Sequence, residues 1–153
     1  MAYEIVGESI KSAASIKLGQ IFDNPKRYKE NITKQTYPNF HIIQPSLIVI
    51  PKGIGTGRIQ LDYVMNIQYR IAENTETITN LQQQLDEVGL KLLTEFNELD
   101  LELPVKVYNK NYEKVDGVGQ FTFYVTVFAT PEKPEDVKFK DLDLIENINK
   151  EEN

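Results

Sequence analysis

Residues 58–71 read Arg-Ile-Gln-Leu-Asp-Tyr-Val-Met-Asn-Ile-Gln-Tyr-Arg-Ile, and their spacing decides the fold. Ile59, Leu61, Tyr63, Met65, Ile67, Tyr69 and Ile71 point one way, while Arg58, Gln60, Asp62, Asn66, Gln68 and Arg70 point the other; Val64 alone breaks the polar row. Successive side chains of a pleated backbone leave on opposite sides, so alternation of this length predicts a strand with one buried and one wet face. At ~3.4 Å per residue the run would stretch roughly 48 Å if straight. A compact chain of this size has a radius of gyration near ~15 Å and a body about 38 Å across. Part of the strand is therefore expected to protrude or bend. An isolated hairpin arm is marginal in water, so a projecting one points to a neighbouring subunit.

Upstream, residues 51–57 (Pro-Lys-Gly-Ile-Gly-Thr-Gly) alternate three glycines, but the segment opens a strand rather than the helix a dinucleotide fingerprint requires. It reads as a mobile hairpin tip with glycines at positive-φ positions. Before it, residues 41–50 form a strand interrupted at Pro45, which donates no ladder bond, so the strand either has an edge there or starts afresh at Ser46. A turn at 37–39 precedes this strand, and a short polar strand is expected at 27–32. Ile5, Val6, Ile10, Ala13, Ala14, Leu18, Ile21 and Phe22 recur at helical spacing over 5–22, and Asp23-Asn24-Pro25 stops the helix.

Downstream, Ile78, Leu81, Leu85, Val88, Leu92, Phe96 and Leu99 predict a second helix over 78–99, about 33 Å long. Gly89 inside it costs near ~1 kcal/mol relative to alanine, which calls for a close contact, most simply with the sheet. A strand over 105–108 follows, and Asp116-Gly117 turns the chain into a return strand over 119–129 with Phe121, Phe123, Val125, Val127 and Ala129 on one face. Tyr124 and Phe128 imply that its other face is partly covered too. The expected fold is α+β: a single domain over 1–130, a mixed or mainly antiparallel sheet of 4–5 strands, two helices on one face, a long protruding hairpin, and an acidic extension over 131–153.

The chain has 153 residues and a formal charge of −6, with 41% hydrophobic and 26% charged residues. That is a globular balance for one core, and no apolar run approaches the ~20 residues of a bilayer span, so no membrane partner is expected. Residues 1–5 lack a basic region followed by an apolar stretch, so no secretory signal is expected. Without cysteine, disulfides, thiolate metal sites and cysteine nucleophiles are all missing. From Pro131 onward four lysines face eight acids, so the extension carries −4 of the −6. An acidic chain with no basic stripe is a poor grip for nucleic acid.

No catalytic constellation stands out. His41 is the sole histidine, no Gly-x-Ser-x-Gly turn accompanies it, and it reads as structural or surface. Asp62 has Gln60 on its own face and is no obvious acid or base. Asp141, Asp143 and Glu146 lack the glycine hinge of a calcium loop and read as a solvated charge run. Tyr63 and Tyr69 read as core. Neither cofactor nor metal is expected, and the enzyme class is disfavoured.

The order of parts is recognisable: an amphipathic N-terminal helix, then residues 28–35 (Tyr-Lys-Glu-Asn-Ile-Thr-Lys-Gln) leading through Pro38 into a strand, the 58–69 strand, a 78–99 helix and a hairpin turning at Asp116-Gly117. Over about residues 5–129 this resembles the phage tail terminator family of Gram-positive prophages and related contractile tail particles. The resemblance implies a structural virion protein at the neck end of the tail, assembled in the bacterial host. Subunits would form a ring, expected to be of six, on the last ring of the tail tube, ending its growth and meeting the head connector or sheath protein, or acting as a collar in a headless contractile bacteriocin. DNA would pass through the bore without specific binding. The residues expected to contact other subunits or partners are Lys52, Gly53, Ile54, Gly55, Thr56, Gly57 and Arg58 at the tip, and Phe139, Leu142 and Leu144 in the extension. The alternative is a small-molecule-binding or regulatory module using the face of Tyr63 and Tyr69 as a pocket, which would require an apolar cavity there.

Overall fold

In the computed structural model, residues 3–30, 34–53, 57–76 and 78–129 are described. The element order is α1 (Tyr3–Ile21), β1 (Lys26–Tyr28), β2 (Asn39–Pro51), β3 (Ile59–Arg70), α2 (Leu81–Glu95), β4 (Glu98–Asp100), β5 (Pro104–Val115) and β6 (Val118–Ala129). The strands form one six-stranded sheet in the order β1-β2-β3-β6-β5-β4. β1 runs parallel to β2, and every other neighbouring pair is antiparallel. The α+β class and the mixed sheet agree with the sequence reading; the strand count exceeds it.

β3 occupies the centre, as its alternation demands. Leu61, Tyr63, Met65 and Ile67 are fully buried, and their ladder partners Val127, Val125, Phe123 and Phe121 on β6 share that face. The helices supply the other wall: Val6, Ile10, Ala13, Ala14 and Leu18 from α1, and Leu92 from α2, with Phe96 just beyond it. The expected overshoot of this strand is corrected. Ile59 pairs with both Pro51 and Ala129, and Tyr69 with both Phe40 and Gly119, so β3 is flanked on both sides along its length. Its neighbours β2 and β6 are equally long, and among the described residues of the link Lys52, Gly53, Gly57 and Arg58 stand beyond the ladder.

Pro45 does not end β2. Between Ile43 and Ser46 the register shifts, so that Gln44 and Pro45 together oppose Met65. A bulge leaves one residue out of the ladder, and a residue without an N–H fits there at no loss of a hydrogen bond. A second bulge at Asn109 and Lys110 lets β5 run twelve residues instead of the four expected. Asn109 takes the left-handed conformation there, with φ 51°.

The second helix is shorter than its pattern. Phe96 leaves helical geometry at φ −90° and ψ 77°, and the Asn97 side chain donates to the Thr94 carbonyl at 2.9 Å. Leu99, in phase with the helix, belongs instead to β4, where it pairs with Val105. Apolar residues three and four apart mark one helical face, but they do not exclude a turn between the last two. At the other end Asn80 stands in the left-handed region, φ 62°, so the helix begins at Leu81 rather than at residue 78. α1 ends where expected: Asp23 and Asn24 both have positive φ, and the Asn24 amide donates to the Gly19 carbonyl at 3.0 Å.

Both ends of the strand order meet the same helix. On one flank of α1, Arg27 of β1 donates to the Ser15 carbonyl at 2.7 Å and Lys29 donates to the Ser12 hydroxyl at 3.1 Å. On the other flank, Ala13, Ile16, Lys17 and Gln20 line a cavity of about 20 Å³ against Asp100 of β4, room for a single water. The sheet thus curls about α1, with β1 and β4 at its two flanks.

Candidate functional site

His41 lies on β2 and is buried, opposite Gln68 of β3 and Tyr28 of β1. Burial first, then the nearby positive charges of Arg70 and Lys11, push its pKa below the ordinary 6.5. It is therefore held neutral and enclosed, a packing role. The unfolded chain takes up a proton near 6.5 while the folded chain resists it, so the contribution of His41 to stability is full above 6.5 and is lost as pH falls toward the depressed folded value. The melting temperature should fall between about pH 7.5 and about pH 5.5. His41→Gln should flatten that fall, and an unchanged slope by thermal denaturation would contradict it.

Asp62 is spent in a cross-strand chain on the helix-free face. It accepts from the Gln60 amide at 2.9 Å and from the Thr126 hydroxyl at 2.8 Å, and Thr126 shares a 2.6 Å hydrogen bond with the Tyr108 hydroxyl. The Tyr108 ring tilts against Tyr124, 5.7 Å between centroids. Tyr124 is thus half-buried by its own strand neighbour, which accounts for one of the two aromatics on that face without a second layer. Among the described residues no group of three His, Asp or Glu side chains could hold a metal ion.

On the face proposed for a pocket, both tyrosines are engaged in packing. Tyr63 is fully buried beneath α1, so close that a Cβ on Gly7 would stand 3.6 Å from its ring. Tyr69 packs on Phe40, and Phe40 on Phe22, with centroids 4.8 Å and 5.0 Å apart.

What remains is the hairpin tip. At the tip, the Lys52 amide donates to the Arg58 carbonyl at 2.9 Å, closing the hairpin, and Gly53 and Gly57 adopt the positive φ expected of them. The Arg58 guanidinium sits over the Phe128 ring, 5.4 Å from its centroid. Phe128 itself stays 53% exposed. The structure thus brings Lys52, Gly53, Gly57 and Arg58 together at one end of β2, β3 and β6. Ile54, Gly55 and Thr56, and Phe139, Leu142 and Leu144, lie outside the described residues.

Two features of the sheet's margins were missed in the sequence. One is β4, short and acidic, whose exposed Glu98 and Asp100 flank the buried Leu99. A Glu-Leu-Asp alternation ahead of Pro104 was the available signal, hidden by its phase with α2. The other is the length of uncovered β2: β1 reaches only Asn39, Phe40 and His41, so no strand among the described residues pairs with the outer side of 42–51. The sequence reading expected this strand over 27–32; β1 ends at Tyr28, residues 29 and 30 are not strand, and 31–32 lie outside the described residues.

Among the described residues no helix is long and apolar enough to cross a membrane. A search of curated proteins finds no match to the chain. A family model described as phage tail terminator protein matches residues 9–137.

Proposed function

From its membership of the phage tail terminator family, which makes this chain a tail structural protein that interacts with other tail components, we propose that copies of it close into a ring of six on the last ring of the tail tube. The ring ends tube polymerisation and offers its far surface to the head connector, or serves as a collar where no head is present. Its role is assembly rather than catalysis. The observation that carries this reading is the family match over residues 9–137, joined to a domain whose His41, Asp62 and Tyr63 are all committed to packing or cross-strand bonds. The acidic balance, −6 in all, suits a conduit through which DNA slides, because like charge gives phosphate no hold.

The test is tube growth. Tube protein polymerised with this protein should give short tubes bearing a ring at one end in electron micrographs, and without it tubes of unlimited length. Tubes that lengthen equally in both cases, with no terminal ring, would overturn the reading.

A further inference from the structure

The uncovered side of β2 is unusual for an edge. Edge strands are ordinarily guarded by charge, brevity or a covering element, because their free N–H and C=O groups template another strand. Residues 42–51 contain no Asp, Glu, Lys or Arg. Among the described residues their guards are the bulge at 44–45 and the prolines at 45 and 51. Between these, Ile48 and Val49 point to opposite faces yet stay 43% and 50% exposed.

The chain itself carries a strand-like segment to match. Residues 137–145 read Val-Lys-Phe-Lys-Asp-Leu-Asp-Leu-Ile, alternating apolar and charged up to Leu144 with one change of phase at 140–141. Lys138 and Lys140 balance Asp141 and Asp143, so nothing in the segment is repelled by a neutral edge. Its point of departure is close. Ala129, Ile59 and Pro51 lie in one row of the ladder, so the last residue of β6 is at the same end of the sheet as the free edge.

The slot outside Pro51 is three strand spacings from Ala129, about 14 Å, and residues 130–136 span at most ~25 Å. Length therefore permits docking, but direction opposes it within one chain. β2 and β6 run the same way, each antiparallel to β3. A segment leaving β6 must reverse around the 52–58 tip to lie on its own β2. Pro131 and Pro134 bias the residues before them away from helical backbone, so a linker that runs on is simpler than one that doubles back. A second copy demands none.

We propose that residues 137–145 of one copy add as a strand to the free β2 edge, residues 42–51, of the neighbouring copy. The inference rests on the ring reading above and names the contact that closes it. Each copy gives one segment and receives another, a heterologous contact that repeats around a ring. Main-chain hydrogen bonds supply the attachment, and the alternating side chains set the register.

The test uses two full-length variants and native mass measurement. Ile48→Lys with Val49→Lys charges the edge at two exposed positions, and Phe139→Pro with Leu142→Pro removes two strand amides from the segment. Each variant alone should be monomeric. Mixed one to one they should form a pair of twice the monomer mass, because the intact segment of the first meets the intact edge of the second. A mixture that stays monomeric while the wild-type chain forms rings would overturn this contact and leave the ring reading intact. A wild-type chain that is monomeric even on tube ends would overturn both. Protection of the 137–145 amides from hydrogen exchange in a wild-type monomer would put the segment on its own edge and overturn the exchange between copies.

Discussion

Replacing Phe96 with alanine should remove about 3–5 kcal/mol of folding stability, out of the ~5–15 kcal/mol that a domain ordinarily has. Phe96 is fully buried at the point where α2 ends. Its ring meets Phe121 edge-on, 5.4 Å between centroids and 75° between planes, and tilts against Phe123 at 5.0 Å. Both partners are on β6, and Phe121 and Phe123 also touch each other at 5.4 Å. The alanine would lose the transfer energy of the ring, the aromatic contacts, and whatever volume the surrounding side chains fail to fill. No neighbour can collapse into the space easily, since the helix end is pinned by the Phe96 amide, which donates to the Leu92 carbonyl at 3.1 Å. Urea unfolding followed by circular dichroism should show the midpoint fall with little change of slope. A loss under ~1 kcal/mol would mean that the end of α2 is not anchored in the core.

Gly89→Ala should be net destabilising, because the overlap it creates costs more than the ~1 kcal/mol that replacing a helical glycine by alanine would return. A Cβ at this position would stand 2.3 Å from two ring carbons of Tyr112, well inside contact distance. The ring cannot simply swing aside, because its hydroxyl donates to the Leu85 carbonyl at 2.7 Å on the same helix. Burial and the nearby Asp86 carboxylate raise the Tyr112 pKa to about 12, so the hydroxyl keeps its proton and remains a donor at neutral pH. Overpacking of this kind costs typically ~1–3 kcal/mol. The origin of the cost is testable by a double-mutant cycle. Tyr112→Ala removes the ring, and in that background Gly89→Ala should turn from destabilising to neutral or stabilising. Purely additive effects would sink the explanation.

The close contact demanded by Gly89 was legible in the sequence as a contact with the sheet, but not as a contact with Tyr112. A glycine in a helical pattern reports that something presses on the backbone; which residue presses depends on how the helix lies across the strands. The tip residues Lys52, Gly53, Gly57 and Arg58 were legible as a group because a glycine-rich link between two strands has few alternatives to a hairpin. Their pairing with the exposed Phe128 was not, since Phe128 is seventy positions from Arg58 and joins it only through the β3–β6 ladder.

The alternation of residues 58–71, the Asp116-Gly117 turn with φ of 51° and 76°, and the stop at Asp23 and Asn24 are local matters. Each depends on side chains two to four positions apart or on the φ a single residue tolerates, and so the chain determined them by itself. Strand order, the two bulges, the identity of β4 and the curl that brings β1 and β4 to the two flanks of α1 depend on which apolar faces meet. Many pairings bury an alternating strand about equally well, and only the shared core selects among them. The edge of β2 that no described strand covers is a product of that selection: its composition was visible from the start, but its position at the margin exists only once the other strands have taken their places.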